Sequence, residues 1–184
     1  MPLEFTETNP LVVDIEKDAD GWDLHVSNTE IIGGKTHKEK MSERVDRDKN
    51  GNKKIPGEFK KRRASGSPKR PHFMEHHDHT PIVIDEAETV EFRCNREFVI
   101  YFERDPSVTP FEGPENNPLS DPFRMGLPVR VPVIAGFASL KKTVTTSMAG
   151  KGPKDQMYYK CTVWLIDDDG QTVEIDPDLI CGNF

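Results

Sequence analysis

Proline and glycine interrupt this chain so often that few windows remain for a long helix. Fifteen prolines and 13 glycines are spread over 184 residues, and the stretch 106–132 is especially Pro-rich. Proline removes a backbone donor and clashes with the preceding helical turn, so such a stretch reads as loop or edge strand. Between the breaks, apolar residues recur with a period of two. Val90, Phe92 and Cys94 alternate with Glu91, Arg93 and Asn95, and Phe98, Ile100 and Phe102 alternate with Val99, Tyr101 and Glu103. Each segment therefore has one face for a core. Met157, Tyr159, Cys161, Val163 and Leu165 fall on one side of a longer strand, with Tyr158, Lys160, Thr162, Trp164 and Ile166 on the other. That strand is expected to be buried on both faces. The Asp-Asp-Asp-Gly run at 167–170 supplies a turn, and Val173 and Ile175 continue on the return, predicting a hairpin over 157–175. Residues 11–15 and 22–26, flanking Asp-Ala-Asp-Gly, predict another. The best short helix window, 139–148, holds three threonines and a valine that suit a strand equally. The fold class is all-β.

Charge divides the chain unevenly. Residues 35–71 hold 14 of the 25 Lys and Arg but 5 of the 32 acids, so this segment carries +9 and the remainder −16 of the net −7. Its sizeable apolar residues are Met41, Val45, Ile55 and Phe59, too few to offset the entropy of ordering. It is predicted to be a long, basic, disordered loop whose deletion, over 35–70, spares the fold. The chain then divides into N-terminal strands at 1–34 that join the body, a basic and His-rich flexible insertion at 35–80, and the main β-sandwich at 81–184. No run approaches the roughly 20 apolar residues that span a bilayer, and the opening residues lack a secretory signal, so a cytoplasmic protein without a membrane span is expected. Cys94, Cys161 and Cys181 lie far apart, unlike paired structural ligands, and read as reduced thiols.

Several clusters bear on chemistry. His72, His76, His77 and His79, with Glu75 and Asp78 between them, offer imidazole and carboxylate ligands suited to Zn, Ni or Cu; the alternative is a solvated His-rich linker. Lys60, Lys61, Arg62, Arg63, Lys69 and Arg70 form a basic run able to contact the phosphates of nucleic acid or another polyanion, or to fold back on the acidic body. Asp46, Asp48, Asn50 and Gly51 open like a calcium loop whose second half fails, since Lys53 and Gly57 stand where an apolar residue and the closing carboxylate belong. The Ile-Ile-Gly-Gly-Lys-Thr run at 31–36 ends like a P-loop, but Thr29 replaces the required glycine and no long helix is expected to follow, so it reads as a turn. Trp22 and Trp164 are expected in the core. The motifs that mark common enzyme sites, a GxSxG elbow and a GxGxxG fingerprint among them, are absent from the sequence.

The runs at 82–84, 89–92, 98–102 and 109–111, followed by Tyr-Tyr-Lys-Cys-Thr-Val-Trp-Leu at 158–165 and Val-Glu-Ile-Asp-Pro-Asp-Leu-Ile at 173–180, resemble small cupredoxin-like domains of uncharacterised bacterial proteins. The resemblance spans residues 81–180 discontinuously and implies a Greek-key β-sandwich. A copper-carrying member would place a second His and a Met shortly after the ligand Cys. Here Thr162, Val163 and Trp164 follow Cys161, and no His occurs after His79. The expectation is a sandwich without type-1 copper and without a resident cofactor. It would act on a protein partner rather than as an enzyme, with polyanion binding at the basic loop or metal binding at the His cluster as alternatives.

Overall fold

The computed structural model describes residues 3–47, 82–104, 122–123, 125, 127–145, 156–175 and 178–182. The architecture is all-β, with one helix among the described residues. Strands β1 (Leu11–Asp18) and β2 (Gly21–Val26) form the expected first hairpin, with Asp18 paired to Gly21 at its turn. β6 (Thr89–Cys94) lies parallel to β1, and β9 (Ala138–Thr143) lies antiparallel to β6, completing a sheet in the order β2-β1-β6-β9. The undecided window at 139–148 is thus strand through Thr143.

The second sheet runs β5-β12-β10-β7-β8, built from β5 (Ile82–Asp85), β7 (Phe98–Arg104), β8 (Val129–Val131), β10 (Gln156–Ile166) and β12 (Asp178–Gly182). β11 (Thr172–Ile175) pairs with the far half of β10, giving the predicted second hairpin. β5 and β12 are parallel, while the β10 pairings with β7, β11 and β12 are antiparallel.

The two sheets share one core. Val90, Phe92 and Cys94 of β6 and Phe98, Ile100 and Phe102 of β7 are all buried, as their alternation requires. Phe92 meets Phe102 across the layers at 5.6 Å between ring centroids, and Phe123 stands edge-on to Phe102 at 4.8 Å. On β10, Tyr159, Cys161, Val163 and Leu165 face this core. Its other face is covered only in part, since Thr162 is buried, Trp164 is half-buried and Ile166 is exposed. Trp164 therefore lies outside the core, with its indole N–H donating to Glu174 at 2.8 Å on the outer surface of the sheet. Trp22 is half-buried against the core, with the Arg96 guanidinium 5.0 Å from its ring centroid.

The chain does not leave the folded body at residue 35. β3 (Ile31–Ile32) and β4 (Lys35–Thr36) pair across Gly33 and Gly34, whose φ values of 58° and 81° suit a tight two-residue hairpin turn. The expected boundary between 34 and 35 thus falls inside that hairpin. Helix α1 (His37–Arg47) follows directly. Thr36 and Glu39 form its capping box: the Thr36 hydroxyl accepts from the Glu39 N–H at 3.2 Å, and the Glu39 carboxylate accepts from the Thr36 N–H at 2.7 Å. His37, Met41 and Arg44 recur at i, i+4 and i+7 and are all buried, so the helix has an inward stripe despite its charge. α1 packs against β2 and β5, the end strands of the two sheets on one side of the molecule. Deleting 35–70 would remove this stripe from the core. No helix among the described residues is long and apolar enough to cross a membrane.

Candidate functional site

Two places stand out, a closed corner of buried polar side chains around α1 and an open side formed by β8 and β9. At the corner, the turn between β5 and β6 carries Ala87 at φ 64°, a left-handed conformation that aims Glu88 inward. Arg44 and Glu88 are each 1% exposed and meet in a two-pronged pair, with guanidinium-to-carboxylate distances of 2.8 and 2.7 Å. The carboxylate also accepts from the backbone N–H groups of Glu4, Phe5 and Asp85 at 3.0, 3.3 and 3.0 Å. Arg44 donates to the Val83 carbonyl at 3.1 Å and to Glu4 at 3.3 Å, and its guanidinium sits 4.9 Å from the Phe5 ring centroid. Burial opposes its charge, but Glu88, Asp85 and Glu4 outweigh that and hold its pKa above the usual value. With five donors on one carboxylate, this pair ties the N-terminal segment, α1 and β5 together. Its groups face one another rather than solvent.

His37, the first residue of α1, is 1% exposed and accepts the Val12 N–H at Nδ1, 3.0 Å away. The ring is therefore neutral, with its proton on Nε2, an atom that has no hydrogen-bond partner among the described residues. Phe5 stands edge-on to it at 5.2 Å. Burial lowers its pKa, Arg93 adds to that, and Glu30 and Asp14 oppose it. Arg93 binds Asp14 and Glu30 at about 3.0 Å, on the outer face of the first sheet.

The open side is different. β8 and β9 are the end strands there, joined by a turn in which Ile134 and Phe137 exchange backbone hydrogen bonds around Ala135 (φ 54°) and Gly136 (φ 96°). Leu127, Val133, Ile134 and Phe137 are exposed by 73, 44, 72 and 47%, so most of the large exposed apolar side chains of the described residues lie on this one stretch. Beside them runs β9. Val144 bonds the Glu88 carbonyl, which fixes the phase of the ladder and turns the backbone groups of Ser139, Lys141 and Thr143 away from β6.

The residues singled out from sequence fare unequally. His72, His76, His77 and His79, and Lys60, Lys61, Arg62, Arg63, Lys69 and Arg70, lie outside the described residues. Asp46 is in α1, and the rest of the calcium-like run lies outside them too. A helix does follow the P-loop-like run, but the N–H groups where a phosphate would sit are taken: Thr36 by the Glu39 carboxylate, His37 and Lys38 by the carbonyls of Glu30 and Ser27, and Glu39 by the Thr36 hydroxyl. Cys94 and Cys161 are buried thiols, as expected, and burial pushes the Cys94 thiol up, away from thiolate chemistry. Among the described residues, no three His, Cys, Asp or Glu side chains are placed to hold a metal ion. Arg44, Glu88 and His37 were missed because each resembles a solvated charge in sequence. The available signal was Thr36-x-x-Glu39 followed by Met41, a capping box opening an amphipathic turn. The chain matches no family model, no curated protein and no solved structure.

Proposed function

We propose that this protein is a non-enzymatic interaction module built on a cupredoxin-like Greek-key sandwich without type-1 copper. The observation that carries the reading is the exposed apolar stretch at Leu127, Val133, Ile134 and Phe137 beside the end strand β9. Exposed apolar groups gathered on one hairpin are a recurrent mark of protein contact surfaces. The buried polar groups of the α1 corner support the same reading, because they are engaged in holding the fold. The copper-less part is supported by Cys161, which is fully buried in mid-strand opposite Phe102, far from the loop position a copper thiolate takes.

The test is site-specific photo-crosslinking in cells, with the reactive side chain at position 134 and a control on the charged outer face at position 16. A discrete adduct from 134, absent from 16 and lost on Phe137→Asp with unchanged thermal unfolding, is expected. Equal labelling from both positions would overturn the reading. So would a turnover abolished by a single substitution that leaves the fold intact.

A further inference from the structure

A sheet edge has to be covered, charged or paired, because its outward N–H and C=O groups otherwise template another strand. β5 is covered, since α1 packs on it and Arg44 takes the Val83 carbonyl. β9 is not. The outward groups of Ser139, Lys141 and Thr143 make no backbone hydrogen bond among the described residues. Its six residues are long enough for an added strand to pair with.

The side chains of β9 say what that strand would be. Ser139, Lys141 and Thr143 share the outer face of the sheet with Arg93 and Asp14, while Ala138, Leu140 and Lys142 point to the core side. Consecutive lysines therefore flank the edge on both faces, and among the described residues Lys141 reaches only the Glu7 carbonyl, at 3.1 Å. A second copy paired antiparallel on β9 would crowd four lysines into one short ladder, which opposes self-pairing. An incoming strand with adjacent carboxylates opposite Lys141 and Lys142 meets the opposite condition. At the other end of β9 stand the exposed Ile134 and Phe137. An antiparallel strand reaches the lysines first and the apolar hairpin last.

We propose that β9 is a β-augmentation site for an extended peptide of a partner protein, with two adjacent acidic residues followed on the C-terminal side by apolar ones. Main-chain bonds to Ser139, Lys141 and Thr143 supply the pairing, the lysines set the register, and the hairpin receives the apolar end. This inference rests on the interaction reading above and names its partner's chemistry.

The probe is a fluorescein-labelled synthetic peptide, Glu-Glu-Thr-Val-Ile-Phe, with the reversed sequence as control, titrated by anisotropy into the full chain. The forward peptide should bind at least tenfold tighter than the reversed one. Ser139→Pro removes an outward N–H that β6 does not use and should weaken binding at least tenfold. Lys141→Glu with Lys142→Glu should do the same and reverse the salt dependence, because like charges then face each other and salt screens their repulsion. Binding that survives Ser139→Pro would overturn strand addition and leave a charge contact alone. Failure of the forward peptide to bind the unmodified chain would overturn this inference, while the crosslink from position 134 separately decides the interaction reading.

Discussion

The two sides of this two-sheet fold solve one physical problem in opposite ways. Both end in strands with spare backbone groups. On the β2/β5 side the chain covers the edge with a helix and sends a buried guanidinium to a strand carbonyl, at the expense of desolvating two charges. On the β8/β9 side no described element covers the β9 edge, which lysines flank on both faces. The difference teaches where the molecule tolerates change. A buried ion pair is intolerant because removing either partner strands the other, whereas an open edge loses only contacts with solvent.

The largest expected effect breaks the closed side. Arg44→Met keeps an apolar contact for Phe5 but leaves Glu88 buried without its cation, and about 3–5 kcal/mol of stability should be lost in urea unfolding. Ser139→Pro on the open side should cost less than about 1 kcal/mol in the same assay, because edge strands accept proline. Equal losses would erase the contrast between the sides.

The next effect is pH-dependent. The folded pKa of His37 lies below its ordinary value of 6.5. Below that value the unfolded chain binds more protons than the folded one, so the His37 contribution is present above pH 6.5 and is lost as the pH falls from there toward the lowered folded value. Protonation also ends the acceptance of the Val12 N–H. His37→Asn, whose side-chain oxygen can replace Nδ1, should flatten this limb of the stability-against-pH curve. A variant with the same acid limb as the native chain would show that other groups govern it.

Smaller effects refine the picture. Thr36→Ala removes the cap of α1 and should cost about 1 kcal/mol, with faster amide exchange confined to the first turn of the helix. Exchange that speeds equally in β9 would mean that the two sides open together. At the hairpin, Ala135 holds a left-handed backbone that asparagine tolerates better, so Ala135→Asn should stabilise by a few tenths of a kcal/mol. A loss of stability would show that the turn is held by contacts its backbone angles do not describe.

The strands were legible because their side chains obey a two-residue period that burial enforces. Phe98, Ile100 and Phe102 could not all face the core in any other local structure. α1 was obscured by averaging: in a segment carrying +9, the buried stripe of His37, Met41 and Arg44 is outweighed by its charged neighbours. Arg44 was illegible on principle, since its burial depends on Glu88, which is 44 residues away, and no local window holds both. Trp164 was placed in the core on composition, but its position opposite Val99 and Glu174 puts it on the outer face. The exposed hairpin at Ile134 and Phe137 reads as ordinary apolar sequence until the sheets show that β8 and β9 belong to different layers.

The bond from Arg44 to Val83 joins residues 39 apart in the chain, and in polymer terms it is the clasp of a ring. Closing a ring costs entropy that grows only with the logarithm of its length, about 0.6 kcal/mol for each doubling. The cost of that closure therefore depends only weakly on how many residues separate Arg44 from Val83, provided the clasp itself is intact. A deletion that begins at residue 35 takes the clasp away.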